Sequence, residues 1–169
     1  KFNKAFKQIS NMIKSGANII DIGGESTRPG SKTIPENLEW QRIKNIVENF
    51  KKKHKKICLS VDTRKSKVMS KALKFGTDII NDVSGFGYDV NSLSVAKETS
   101  ATKILHHMQG TPNTMQKRPV YKNVLLDIYD FFEEKIKKIG GKKIIIDPGI
   151  GFGKNLKHNL TLISKISLF

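Results

Sequence analysis

Five short apolar runs, rich in β-branched residues, recur along this chain and alternate with segments of helical pattern. The runs lie at residues 19–22, 57–61, 78–80, 103–105 and 144–146. Continuous apolar runs of this length are typical of strands that are buried on both faces of a sheet. Strands that alternate with helices at this spacing predict parallel βα units, so we expect an α/β fold.

The segments between the runs carry apolar residues at helical spacing, at residues 38–50, 68–75 and 124–136. The opening and closing residues show the same spacing, and a weaker helical pattern covers residues 91–99. Three of these patterns are followed by glycine where a helix commonly ends, at Gly16, at Gly76 and at the pair Gly140 and Gly141. No linker or low-complexity stretch divides the units, so we predict a single domain over residues 1–169.

Polar residues lie at the carboxyl end of each apolar run. These residues are Asp21, Asp62, Asn81 with Asp82, His106 with His107, and Asp147. In an open doubly wound sheet the site gathers at one switch point, whereas in a (β/α)8 barrel all strand ends converge on one pocket. The series therefore favours a TIM barrel over the alternative that each residue caps a helix or completes a turn. Five units cannot close an eight-stranded barrel, so we expect a piece of a barrel, truncated at both ends.

The glycine-rich stretch "DPGIGFGKN" at residues 147–155 matches neither of two common phosphate-binding patterns. A GxxxxGK[ST] loop requires glycine where Pro148 stands and a hydroxyl where Asn155 stands, and a GxGxxG match fails at Lys154. The glycines instead predict sharp turns that let the backbone approach a flat ligand beside Asp147. Aspartate and asparagine at strand ends offer the acceptors that the N–H edge of an aminopyrimidinone requires.

The formal net charge of +16 raises the question of nucleic-acid binding, because clustered cations bind phosphate backbones. Only four of the 31 cationic residues are arginines, and the lysines are scattered over predicted helix faces. Sequence-specific readers of nucleic acid rely on arginine, so we expect no specific nucleic-acid partner. The single cysteine, Cys58, predicts a buried thiol in a reducing compartment. No stretch of about 18 apolar residues and no secretory signal pattern occurs, so no membrane association is expected.

Five sequence blocks carry a specific resemblance to a known family. They are "DIGGESTRPGS" at 21–31, "SVDTRKS" at 60–66, "IINDVSG" at 79–85, "HHMQGTPNTMQ" at 106–116 and "IIIDPGIGFGKN" at 144–155. In this order and at these intervals they resemble the dihydropteroate synthases, folate-pathway enzymes that join 6-hydroxymethyl-7,8-dihydropterin pyrophosphate to p-aminobenzoate. The resemblance implies a TIM barrel of which this chain supplies roughly the second to sixth βα units.

The resemblance also implies which residues recognise the pterin. Asp62, Asn81 and Asp147 match the family's pterin-binding positions, with Asn81 and Asp147 on the aminopyrimidinone edge and Asp62 near the reduced ring. The lining of the pterin and aminobenzoate pockets is matched by Met108, Val83 and Phe152.

The stretch "ESTRPGS" matches a mobile loop that folds over the active site of the family. Thr27, Arg28 and Pro29 match positions that order the pyrophosphate and form the aminobenzoate pocket, and Gly23 and Gly24 would supply hinge freedom. The catalytic roles implied are stabilisation of a pterin cation by Asp62 and of the departing pyrophosphate by Arg28.

A Mg2+ ion that neutralises the pyrophosphate is implied as a cofactor, with its ligand outside this chain. We therefore expect no metal ligand here and no synthase activity from the chain alone. His106 and His107 suggest zinc, but adjacent strand residues point to opposite faces, so a structural or supporting role is expected for both. The resemblance further implies a cytoplasmic homodimer that sulfonamides inhibit.

Two alternative functions stay open at this point. Methyltetrahydrofolate-dependent methyltransferases are similar barrels with comparable Asp and Asn contacts, although "ESTRPG" and "HMQG" resemble the synthase instead. A basic, nucleic-acid-associated protein is the alternative from a different class, and tight, salt-dependent binding to duplex DNA would identify it.

Overall fold

The computed structural model describes residues 2–141 and 143–169. Over this part of the chain, helices and strands alternate as the sequence predicts. The elements are α1 (Phe2–Lys14), β1 (Ile19–Gly23), α2 (Glu36–Lys53), β2 (Cys58–Asp62), α3 (Ser66–Leu73), β3 (Ile79–Asp82), α4 (Ser92–Glu98), β4 (Thr102–His106), α5 (Val124–Ile139), β5 (Ile144–Asp147), α6 (Leu156–Ser164) and a final 3-10 turn (Ile166–Leu168).

The five strands form one parallel sheet in which each strand pairs with the next along the chain. The strand order therefore runs from β1 to β5 without the reversal that defines the switch point of a doubly wound sheet. An unreversed parallel order with a helix after each strand is the wall of a barrel. The described residues are thus five consecutive βα units of a TIM barrel, which confirms the predicted fold class.

Local signals fix the helices that follow the site-bearing strands. The Asn123 side chain caps α5 by accepting hydrogen bonds from the backbone N–H groups of Leu125 (3.0 Å) and Leu126 (3.3 Å). The same helix ends at Gly140, whose φ of +94° is a left-handed conformation that costs glycine little. At the start of α6, Asn155 and His158 exchange side-chain-to-backbone hydrogen bonds in a capping box.

The outward face of the sheet builds the hydrophobic core against the helices. Leu59, Val61 and Leu105 are fully buried there, and they belong to one cluster with residues of α2, α3 and α5. Removing an aliphatic side chain of this size from water stabilises the fold by about 1.5–3 kcal/mol. This packing orients the opposite, inward face of every strand toward the barrel axis.

The inward face is open at the two outermost strands, contrary to the prediction of burial on both faces. Ile19 in β1 is 49% exposed and Ile145 in β5 is 46% exposed. Both strands have a neighbour on one side only within the described sheet. Their inward side chains therefore lack the packing that a closed barrel interior provides.

The predicted position of Asp21 at the end of its strand is also wrong. The ladder continues past it, because Ile22 pairs with Val61 and Gly23 pairs with Asp62. Asp21 consequently lies in the middle of β1, beside Ser60 of β2. Across the described residues, no helix is long and apolar enough to cross a membrane.

Candidate active site

The carboxyl ends of β2 to β5 bring polar side chains together on the inward face. Asp62, the last residue of β2, pairs in register with Asn81 of β3. His106, the last residue of β4, pairs in register with Asp147, the last residue of β5. Because alternate strand residues share a face, the register places all four side chains on the same side of the sheet. The three predicted pterin-binding residues are therefore assembled at one edge.

Asp62 is a carboxyl group in an environment that disfavours its charge. Burial raises the pKa of Asp62 to about 8, and the negative charges of Asp21, Asp82, Glu39 and Glu25 add to that effect. A carboxyl group with a pKa near neutrality responds strongly to positive charge brought close to it. The site is thus prepared to stabilise a cation beside Asp62.

Asn81 contributes an unpaired acceptor next to Asp62. Its side-chain Oδ1 is buried and has no hydrogen-bond partner among residues 2–141 and 143–169. Buried polar atoms are normally hydrogen-bonded, and an unpaired one requires an explanation. A ligand that offers N–H donors to this edge supplies the missing partner.

Asp147 is held in one orientation but keeps an accessible edge. The Gly149 backbone N–H donates to Oδ1 (2.8 Å), and the His106 ring nitrogen Nδ1 lies 3.0 Å from Oδ2. The hydrogen bond from His106 is the main cause that holds the pKa of Asp147 below its usual value. The side chain is nevertheless 46% exposed, so the ionised carboxylate remains available to a ligand.

The predicted pocket-lining residues lie just beyond three of the strand ends. The Phe152 ring packs edge-to-face on His106, with 4.6 Å between the ring centroids. Val83 is buried just beyond β3, and Met108 is half-buried just beyond β4. These three positions border the strand ends that carry Asn81 and Asp147.

A buried ion cluster, formed by Glu25, Arg64, Lys65 and Glu39, anchors the loop after β1. Arg64 Nε donates to Glu25 Oε2 (2.7 Å), and Lys65 Nζ donates both to Glu25 Oε1 (2.9 Å) and to Glu39 Oε2. Burial alone would raise the pKa of Glu25, but hydrogen bonds from Arg64, the Ile34 N–H and Lys65 together hold it below its ordinary value. The Ile34 N–H donates to Glu25 Oε1 at 2.9 Å, so this carboxylate ties the start of the loop to its end.

Thr27, Arg28 and Pro29 lie in the segment that Glu25 and Ile34 enclose. Arg28 and Pro29 are exposed and Thr27 is half-buried. The Gly30 N–H donates to the carbonyl oxygen of Pro112 (3.0 Å), which joins this loop to the loop after β4. The loop is therefore held at its base by buried ion pairs, and Arg28 is exposed at its outer part.

One of the two glycines assigned to a hinge has a packing role in the structure. Gly23 belongs to β1, where a Cβ would make an ordinary contact with the Asp62 side chain at 3.4 Å. A Cβ on Gly24 would lie 2.6 Å from the backbone oxygen of Glu39. Close approach of α2 to the end of β1 thus requires glycine at position 24, and the hinge role stays a prediction.

The two histidines point apart, as the strand alternation predicts. His106 contacts Asp147, whereas His107 accepts a hydrogen bond at Nδ1 from Lys154 Nζ (3.0 Å) and packs edge-to-face on Phe131. Burial lowers the pKa of His107 to about 3 and that of Lys154 to about 7. Lys154 also donates to the Phe152 carbonyl oxygen (2.8 Å), so it fastens the glycine-rich loop to the end of β4.

Sequence reasoning did not single out the ion cluster or Lys154, and it named Asp82 only as one of the polar strand-end residues. Asp82 is fully buried, burial raises its pKa to about 6, and Ser84 donates to it from both its backbone and its hydroxyl group. The only sequence signal for the cluster was charge placed directly after strand ends, at Glu25 and at "TRK". A charged residue in such a place is interpreted equally well as a solvated side chain.

No group of three or more His, Cys, Asp or Glu side chains in residues 2–141 and 143–169 is arranged to hold a metal ion.

Comparison with known protein families agrees with this arrangement. A family model described as pterin binding enzyme matches residues 1–169. The dihydropteroate synthase of Escherichia coli strain K12 is 40% identical over 170 residues, which cover 98% of this chain and 60% of that protein.

Solved structures share the backbone path as well. The Yersinia pestis dihydropteroate synthase with a sulfonamide drug complex superposes with a TM-score of 0.94 at 37% identity, covering 99% of this chain and 62% of that one. The Burkholderia cenocepacia dihydropteroate synthase complexed with 7,8-dihydropteroate gives a TM-score of 0.88 at 35% identity, covering 98% and 60%. The chain thus spans about 60% of the length of the relatives it matches.

Proposed function

Because this chain belongs to the pterin binding enzyme family, we propose that the full-length gene product is a dihydropteroate synthase. It condenses 6-hydroxymethyl-7,8-dihydropterin pyrophosphate with p-aminobenzoate to give 7,8-dihydropteroate and pyrophosphate. The observation that carries the proposal is the set of acceptors at strand ends on one face of the sheet, formed by Asp62, Asn81 and Asp147. The synthases among its relatives favour this reaction over methyl transfer from methyltetrahydrofolate.

Recognition of the pterin follows from the chemistry of these acceptors. An aminopyrimidinone presents a ring N–H and an exocyclic amino group side by side, and an oriented carboxylate can accept from both. Asp147 is ionised and has an exposed edge, and the Asn81 amide oxygen is unpaired among the described residues. Analogues without those donors would leave the acceptors buried and unpaired, which is the basis of selectivity.

The reaction replaces pyrophosphate by an amine at the pterin methylene carbon. The carbon–oxygen bond breaks with its electron pair leaving on pyrophosphate, and the electron-poor carbon is stabilised by the pterin ring. As this positive charge approaches, Asp62 gives up its proton to solvent, and the resulting carboxylate stabilises the charge electrostatically. The aniline nitrogen of p-aminobenzoate then forms the new carbon–nitrogen bond and releases a proton to solvent.

The loop after β1 contributes the groups that act on the other two components. Arg28 is proposed to stabilise the departing pyrophosphate, and Thr27 and Pro29 to form part of the aminobenzoate pocket. The exposed position of Arg28, on a loop held by Glu25 at its base and by Gly30 at Pro112, supports a role that begins when the ligand is bound. Mg2+ would be held by residues outside this chain. A cytoplasmic homodimer that binds sulfonamides completes the proposal.

Pterin recognition is tested with Asp147→Ala and Asn81→Ala in the full-length gene product. Each variant is expected to bind the pterin substrate at least about 10-fold more weakly, because a buried ligand N–H without an acceptor costs about 1–3 kcal/mol. Calorimetric titration with the pterin pyrophosphate measures this. Asp130→Ala, an exposed aspartate on α5, is the matched control and should bind as the wild type does. Near wild-type affinity in both site variants would contradict the assignment, as would a wild-type protein that forms no dihydropteroate.

A further inference from the structure

His106 occupies an unusual place in this site, because it is buried beside Asp147, the carboxylate that is proposed to bind the pterin. Only 4% of the residue is exposed, and its Nδ1 lies 3.0 Å from Asp147 Oδ2. An ionised carboxylate can only accept hydrogen bonds, so Nδ1 carries the proton and donates it. Nε2, the other ring nitrogen, is buried and has no hydrogen-bond partner among the described residues.

The imidazole ring is locked in its orientation by two neighbours. Phe152 packs its ring edge-to-face against it at 4.6 Å between centroids. The backbone of Gly149 also lies close to the ring, because an added Cβ there would come within 2.8 Å of Nε2 and would overlap the His107 carbonyl oxygen. Nε2 therefore faces the glycine-rich loop and not the accessible edge of Asp147.

The carboxylate of Asp147 is fixed at both of its oxygens as a result. Gly149 N–H holds Oδ1 at 2.8 Å while His106 holds Oδ2, so the plane of the carboxylate is set by two donors on different elements. A group held in its binding orientation before the ligand arrives loses less conformational freedom on binding. The donor on His106 is a side chain, so a substitution can remove it and leave the backbone donor in place.

We propose that His106 is a positioning residue for pterin affinity and specificity, which acts by orienting Asp147 and does not touch the ligand itself. This inference rests on the proposed function. It predicts that the essential feature of His106 is a hydrogen-bond donor at the position of Nδ1, irrespective of the ring and of any charge on it.

Three substitutions separate this donor from the rest of the side chain. His106→Asn places an amide nitrogen at the same number of bonds from the backbone as Nδ1, whereas His106→Gln moves it one bond further out. His106→Leu keeps an apolar side chain against Phe152 and removes the donor. All three are made in the full-length gene product, and thermal unfolding of each shows whether it folds.

The expected result is a loss of pterin affinity that follows the donor position. A hydrogen bond to a charged group corresponds to about a 10- to 100-fold change in Kd. His106→Leu and His106→Gln should show this loss in calorimetric titration with the pterin pyrophosphate, and His106→Asn should stay within about threefold of the wild type. The KM for the pterin substrate should rise in the same order, with kcat and the KM for p-aminobenzoate changed far less. In an Asp147→Ala background, His106→Leu should have no further effect.

Two outcomes would overturn the inference about His106 and leave the proposed function intact. One is wild-type pterin affinity in His106→Leu, and the other is an equal loss in the Asn and Gln variants, which would show that ring packing and not the donor matters. If His106→Leu does not fold, the comparison of Asn with Gln decides the question. A wild-type protein that does not bind the pterin overturns the proposed function and this inference with it.

Discussion

Replacing Lys65 by methionine would test the buried ion cluster under the loop after β1. The Lys65 side chain is 8% exposed and donates to Glu25, at 2.9 Å, and to Glu39, which has no exposed surface. Glu25 keeps its hydrogen bond from Arg64 after the substitution. The group left without a cation is therefore Glu39, whose second oxygen already lacks a partner among the described residues.

The magnitude follows from the burial of that carboxylate. Removing one partner of a buried ion pair leaves an uncompensated buried charge and costs about 3–5 kcal/mol. Methionine retains most of the apolar stem of lysine, so little of this loss comes from a cavity. We expect Lys65→Met to lower the free energy of unfolding by about 3 kcal/mol at pH 7 in urea titrations followed by circular dichroism. Adding Glu39→Gln to this variant should recover part of the loss, because the amide is neutral.

Lys67→Met is the matched control for this experiment. Lys67 lies two residues further along and pairs with Glu36 at 2.8 Å, but the two side chains are 70% and 38% exposed. Ion pairs on the surface contribute little to stability, so no change beyond measurement error is expected. Equal losses of unfolding free energy in Lys65→Met and Lys67→Met would refute the argument that the cluster stabilises the fold because it is buried.

Two further predictions concern the site itself. The pKa of Asp62 is about 8 in the folded chain against an ordinary value of 3.8, so the folded state keeps a proton that the unfolded state releases, and stability should fall as the pH rises from about 4 to about 8. Asp62→Asn removes this dependence; urea titrations at pH 5 and pH 8 check it, and an unchanged pH profile would contradict it. Arg28→Ala, in the full-length gene product, should lower kcat much more than it weakens pterin binding measured without pyrophosphate, and equal losses would assign Arg28 a structural role.

The strands and their order were predictable because their signal is local. The apolar runs locate every strand to within two residues, and the carboxyl-terminal polar residues of β2 to β5 stand where the sequence places them. The weak helical pattern at 91–99 became α4, Ser92–Glu98. Glycines at helix ends adopt left-handed conformations, with φ of +97° at Gly16 and +82° at Gly76. Each of these features depends on neighbours in sequence, which periodicity can detect.

Exposure of the inward face was not predictable from the same signal. An apolar run indicates that the residues of a strand are suited to burial, but it does not indicate which strands lie beside it. Ile19 and Ile145 carry the same β-branched signature as Ile79, which is buried on the inward face of β3, yet they lie on outermost strands of the described sheet. The misplacement of Asp21 has a similar cause, because the length of β1 is set by its pairing with β2.

The ion cluster was not predicted from the sequence, for a different reason. Glu25 follows β1, Arg64 and Lys65 follow β2, and Glu39 lies in α2, so the sequence separates partners by up to 40 positions. Charged residues are rarely buried, and each one alone predicts a solvated side chain. These charges neutralise one another because neighbouring strand ends converge in a parallel sheet. The sequence alone does not show that convergence.

The sign of the charge at the site is opposite to that of the whole chain. The chain has a formal net charge of +16, yet the strongest influences on Asp62 after burial are the carboxylates of Asp21, Asp82, Glu39 and Glu25. Charges separated by more than about 10 Å in water are largely screened, so lysines on the outer helices do not set the potential at the strand ends. The nearby cations Arg64 and Lys65 are already engaged by Glu25 and Glu39. The strand ends are therefore suited to a ligand that donates hydrogen bonds and develops positive charge, which is the chemistry of a pterin and not that of a phosphate backbone.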